Sequence, residues 1–129
     1  MIFGKDEKEH RCEPRFATHL KARIRVLDAA GGASLTSFHE ALVINLSKKG
    51  VCLGVAGLSL EGLHLTRCLQ APDEYLIGLD ITPPAGDPWT LTAELKWINR
   101  QMDEDQFSFR LGAVFRKALP VDWAQTLGI

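Results

Sequence analysis

With 129 residues, 46% of them apolar and 24% charged, the chain has room for one ordinary globular core and too little for two. A formal net charge of -1 argues against a general nucleic-acid binder, whose footprint is a basic surface. No stretch approaches the ~20 apolar residues of a membrane span, no apolar signal-peptide run opens the chain, and the cysteines Cys12, Cys52 and Cys68 form no C-x-x-C or His/Cys cluster. A reduced, cytoplasmic protein without membrane insertion, disulfide framework or zinc is the expectation.

Residues 1–17 read as a polar, flexible arm, and 18–129 as one folded domain. Pro14 removes a backbone donor and biases Glu13 away from helix, so Arg11 and Arg15 fall on an extended or looped segment. Through Leu27 seven basic side chains stand against four acidic ones, which points to a local anion site in a chain of balanced charge. From Thr18 onward, Leu20, Ala22, Ile24 and Val26 alternate with Lys21, Arg23 and Arg25, the period of an antiparallel strand with one wet face. Asp28 to Ser34 carries Gly31-Gly32 and predicts a turn.

A second strand spans about Phe38 to Leu46. Ser47-Lys48-Lys49-Gly50 then turns the chain into a third, Val51 to Val55, making a hairpin. Cys52 within it reads as a small buried hydrophobe. Leu58 to Leu69 fits neither period, and both a short strand and a helical turn satisfy it. Tyr75 to Thr82 and Trp89 to Asn99 are further strands, the latter with Leu91, Ala93, Leu95 and Trp97 alternating with Thr92, Glu94 and Lys96. Phe107 to Phe115 is the last strand. Pro120 opens a short C-terminal helix with Leu119, Trp123 and Leu127 on its apolar face. The fold class is therefore dominated by β-structure: a small antiparallel β-barrel of six to seven strands with a short C-terminal helix.

Signals for catalysis are absent. His10, His19, His39 and His64 are scattered without metal-ligand spacing, Ser47 has no triad partner nearby, and no nucleophile elbow, Walker loop or dinucleotide fingerprint occurs. Neither an enzyme, a metal site nor a cofactor is expected.

Binding signals are present in two places. Arg11 and Arg15 each offer a planar fork of donors that fits a phosphate or the O6/N7 edge of guanine, and each can stack on a purine. Asn45-x-Ser47-x-x-Gly50 supplies an amide oxygen for a guanine N–H and a hydroxyl for a phosphate or purine edge. Gly50 brings access to positive φ and close approach of a ligand to the backbone.

Taken in order, R-x-x-x-R followed about thirty residues later by N-x-S-x-x-G resembles the signature of PilZ domains, receptors for cyclic di-GMP. Val51-Cys52-Leu53, Leu95-Lys96-Trp97-Ile98 and Leu111-Gly112-Ala113-Val114-Phe115 resemble the family's later strands, so the likeness runs from Arg11 to Leu127. The resemblance implies a bacterial second-messenger receptor in which Arg11 and Arg15 grip guanine and phosphate. Asn45 bonds guanine where many members carry Asp, Ser47 contacts the ligand from the turn, and Gly50 leaves room for it. His10 bears on whether one ligand or a stacked pair binds. Trp97 is a secondary candidate as a stacking platform, against its reading as barrel wall or core. The implied mechanism is wrapping of the arm over the ligand to create a surface for a downstream protein. The competing expectation is an interaction module of the same fold that works without ligand.

Overall fold

The computed structural model describes residues 20–84, 86–100, 108–117, 119–120 and 122–123, together with the backbone of 16–17. Nine strands and one short helix are described in chain order: β1 (Phe16–Ala17), β2 (Lys21–Asp28), β3 (His39–Leu46), β4 (Gly50–Val55), β5 (Ser59–Leu60), β6 (Leu63–His64), α1 (Thr66–Gln70), β7 (Tyr75–Ile81), β8 (Trp89–Arg100) and β9 (Phe109–Phe115).

Six strands close on themselves in the order β3-β2-β7-β8-β9-β4 and back to β3, all pairs antiparallel. Closure removes the exposed edges that an open sheet of this size would present. β1 continues the line of β2 along the same edge of β3, with Phe16 opposite Leu46 and Ala17 opposite Asn45. The last two residues of the leader are thus strand-paired. Thr18, Phe107 and Leu127 of the predicted elements lie outside the described residues, as does the leader up to Arg15.

Alternation writes the core. Ala22, Ile24 and Val26 of β2, Ala41 and Val43 of β3, Val51, Leu53 and Val55 of β4, and Leu111 and Ala113 of β9 all point inward and are buried. Each large aliphatic side chain buried this way contributes roughly 1.5–3 kcal/mol. The ambiguous stretch from Leu58 to Leu69 resolves into both alternatives at once. A two-residue turn at Glu61-Gly62, with φ of 54° and 90°, joins β5 to β6, and α1 follows. Two consecutive positive φ values are what a tight hairpin of this hand requires. Leu60, Leu65 and Cys68 of this excursion join the barrel core, and burial pushes the Cys68 thiol up to about 11.

At the other end of the chain, Asp122 and Trp123 are helical, with Trp123 N donating to Pro120 O at 3.1 Å. Trp123 stacks flat on Trp89, ring centroids 4.8 Å apart, and Leu119 is buried in the core. Among the described residues no helix is long and apolar enough to cross a membrane.

Candidate functional site

Two β-bulges decide which side chains reach the outer face of the barrel. In β3 the register shifts between Val43, opposite Leu53, and Asn45, opposite Cys52, so Ile44 is the extra residue. Without it Asn45 would follow Ala41 and Val43 into the core. With it, Leu46 turns inward, fully buried, and Asn45 turns outward and is half-buried. In β8 the shift falls between Leu95, opposite Ala113, and Trp97, opposite Gly112, so Lys96 is extra. Plain alternation would carry Trp97 into the core behind Ala93 and Leu95. The bulge corrects that expectation and lays Trp97 on the outside of the wall. Bulges re-aim side chains in this way and are concentrated beside functional sites.

The register then aligns one row across five strands, facing outward on β3, β4, β9 and β8. Ala17 pairs with Asn45, Asn45 with Cys52, Cys52 with Gly112, and Gly112 with Trp97. The outward positions of β4 are Gly50, Cys52 and Gly54, all small, and the strand is buried at every position. The Trp97 ring occupies the space above Gly112: a Cβ there would stand 1.9 Å from the indole. Gly112 is therefore obligatory for Trp97 to lie flat. The L-G pair in the last strand and the tryptophan in the strand before it are one device. Arg110, two residues before Gly112 on the same outer face, is half-buried opposite Gly54 and Asn99. Spacing arguments passed over it, although its place as a polar residue in the alternation of β9 was visible.

The hairpin tip between β3 and β4 is held by its own groups. Ser47 N donates to Gly50 O at 2.9 Å, and the Ser47 hydroxyl accepts from Lys49 N at 3.3 Å and Gly50 N at 3.2 Å. Ser47 is 5% exposed, and its hydroxyl serves the turn as a local acceptor for these two backbone N–H groups. Gly50 does not adopt positive φ, contrary to expectation. Its glycine is required because β9 approaches closely: a Cβ would meet Ala113 O at 2.7 Å. The backbone that comes near Gly50 is the protein's own. Lys48 and Lys49 are exposed at the tip, and their carbonyls accept from Leu119 N and Phe115 N, both at 2.8 Å.

Of the predicted site residues, Asn45, Ser47 and Gly50 thus cluster at the β3–β4 tip, and the Asn45 row leads across to Trp97. His10, Arg11 and Arg15 lie outside the described residues. What is described of their side is β1, which brings Phe16 and Ala17 directly beside Leu46 and Asn45. Among the described residues no three His, Cys, Asp or Glu side chains gather as a metal site.

No family model matches the sequence, and no curated protein matches it. Among solved structures, the chain is similar to the Bacillus subtilis inhibitor of motility MotI/DgrA, with a TM-score of 0.56 and 16% sequence identity. The match covers 92% of this chain and 47% of that one, so the chain spans about half the length of that neighbour. At this identity the likeness establishes a shared fold.

Proposed function

We propose that the chain is a receptor for cyclic di-GMP that binds its ligand on the outer face of the barrel, around the β3–β4 tip. The observation that carries this reading is the pairing of β1 with the end of β3. Arg15 is the residue next to Phe16 in sequence, one Cα step of about 3.8 Å away, and Phe16 stands opposite Leu46. That pairing supports a reading in which the arginine motif and the Asn45-x-Ser47-x-x-Gly50 motif serve one surface, although about thirty residues separate them in sequence.

In this reading Arg11 and Arg15 supply charge-assisted forks to phosphate and guanine. Asn45, turned outward by its bulge, bonds guanine through its amide. Lys48 and Lys49 add positive charge at the tip. Gly50, Cys52 and Gly54 form a floor without large side chains, and Trp97 closes the far side as a flat wall. The role of Ser47 is to hold the turn that sets Asn45 in place. His10 tunes how many ligands bind.

The arm wraps over the bound ligand and creates the surface read by a downstream protein. Ordering ~6 free residues costs on the order of 6–12 kcal/mol of backbone entropy, whereas a micromolar ligand supplies ~8 kcal/mol net. The β1 pairing lowers that cost by fixing the arm's end in advance.

Calorimetry with cyclic di-GMP, against linear pGpG and GTP, tests the proposal. Saturable binding of the cyclic ligand, with at least a hundredfold loss in Arg11→Ala and in Arg15→Ala, is expected; unchanged binding in both variants removes the site assignment. Hydrogen exchange of the leader with and without ligand tests the wrapping. Equal protection in the two states ends that part.

A further inference from the structure

A concavity lies on the barrel wall away from the Asn45 row, between β8 and the segment after β9. Its volume is about 410 Å³, and Thr90, Thr92, Arg116, Lys117, Pro120 and Trp123 line it. Its character is mixed. Trp123, stacked on Trp89, and Pro120 give an apolar wall, while Arg116 and Lys117 are exposed cations at the rim.

The acids nearby offset that positive charge only in part: Lys96, Arg116 and Lys117 stand against Glu94 and against Asp122, which precedes Trp123. Glu94 stands 3.7 Å from the Arg116 guanidinium, but its other oxygen is taken by Lys96 at 3.0 Å. Asp80 is held by Arg23 and by the Thr90 hydroxyl, each at 3.0 Å. A size in the range of small-ligand and side-chain pockets, an aromatic wall and two rim cations together suit a large apolar side chain flanked by carboxylates.

The same segment is tied to the candidate ligand site. Phe115 N and Leu119 N donate to the carbonyls of Lys49 and Lys48, both at 2.8 Å, so the residues bearing Arg116 and Lys117 hang from the β3–β4 tip. Arg116 N in turn donates to Thr92 O at 2.8 Å, which fixes the rim to the floor of the cavity. These bonds connect the tip to the rim cations through the backbone.

We infer that this cavity is the docking surface for an acidic segment of a partner protein carrying an aromatic anchor, and that its affinity is coupled to the β3–β4 tip. The coupling rests on the cyclic di-GMP reading above; the docking surface does not.

The probe is the synthetic peptide Ac-Glu-Glu-Phe-Glu-Glu-NH2, titrated into the full chain while the indole N–H of Trp123 and the amides of Thr92 and Arg116 are followed by NMR. The counterpart with Lys in place of each Glu is the control. The acidic peptide is expected to move these signals in a saturable way and to bind at least fivefold more weakly to Lys117→Glu, a change at an exposed position. No movement at millimolar peptide, or equal binding of the basic peptide, overturns the docking surface.

Repeating the titration with saturating cyclic di-GMP is expected to change the peptide affinity at least threefold. If calorimetry shows the dinucleotide bound and the peptide affinity stays constant, the coupling is wrong. If the dinucleotide does not bind at all, the coupling falls with the earlier reading, and the peptide arm alone judges the surface.

Discussion

The two sides of the barrel are built by different rules. β2 and β7 pair in unbroken register from Ala22 opposite Ile81 to Asp28 opposite Tyr75. Their outer face is closed by its own chemistry: Arg23 pairs with Asp80, and the Phe38 ring receives the guanidinium groups of both Arg23 and Arg25 at 4.4 Å. The opposite wall, β3, β4, β9 and the far half of β8, carries two bulges, a floor of small residues and a tryptophan laid over a glycine. Regular pairing gives a wall held by ion-pair and cation–π contacts, although Arg25 Nε is buried there without a hydrogen-bond partner among the described residues. Broken pairing gives one that turns an amide and an indole outward, and that wall is where the Asn45-x-Ser47-x-x-Gly50 pattern falls.

On this contrast, substitutions on the irregular wall are expected to cost far more than those on the regular one. The largest effect is expected at Gly50→Val. Its Cβ meets a backbone oxygen at 2.7 Å, which cannot swing aside as a side chain would. A loss of about 3 kcal/mol in denaturant melts is expected, with binding lost as well.

Gly112→Ala comes next. Here the obstacle is the Trp97 ring at 1.9 Å, a side chain with somewhere to go. A cost of about 1–3 kcal/mol is expected, most of it absent when the same change is made in Trp97→Ala. Additive costs in that double-mutant cycle show that the two residues do not act as one device.

Ser47→Ala sharpens the division between turn and ligand. Removing the hydroxyl leaves the Lys49 and Gly50 N–H groups without their acceptor, at a cost of about 1 kcal/mol. Stability should fall in the absence of any ligand. A variant as stable as the parent but unable to bind cyclic di-GMP returns Ser47 to the role of direct contact.

On the regular wall, Asp80→Asn should change stability by no more than about 1 kcal/mol, because Arg23 is largely exposed. A larger loss there erases the contrast between the two walls.

The difference between the walls also explains what could be read in advance. Period-two alternation named β2 and β8, because Leu20 to Val26 and Leu91 to Lys96 run without interruption, and an apolar run named β7. The hairpin at Ser47 to Gly50 was legible from its turn chemistry. Trp97 was not, because a bulge leaves no mark on the one-letter pattern: Leu95-Lys96-Trp97 reads as plain alternation, and only pairing with β9 reveals that Lys96 is extra. Gly50 misled for a related reason. Glycine at the end of a turn suggests positive φ, whereas the constraint comes from Ala113, which is remote in sequence. Local chemistry shows in local sequence; contacts made by strands that meet only in the fold do not.

The smallest expected effect lies at the β5–β6 turn, which belongs to neither wall. Glu61 holds a left-handed conformation at φ 54°, uncommon for a residue with a side chain. One carboxylate oxygen accepts from the Ser37 hydroxyl, from Ser37 N at 2.9 Å and from His39 Nε2 at 2.8 Å. The Ser37 hydroxyl first, and then His39, hold the Glu61 carboxyl below its ordinary value of 4.5. Because the folded value is depressed, the unfolded chain binds more protons in that window. The stabilisation is full above the unfolded value and fades as pH falls through the folded one. Glu61→Gln should therefore lower stability slightly at neutral pH and flatten the acid limb below about pH 4.5, so that variant and parent converge at low pH. An acid limb identical to that of the parent means the carboxylate is solvated in both states and the clasp on Ser37 and His39 contributes nothing.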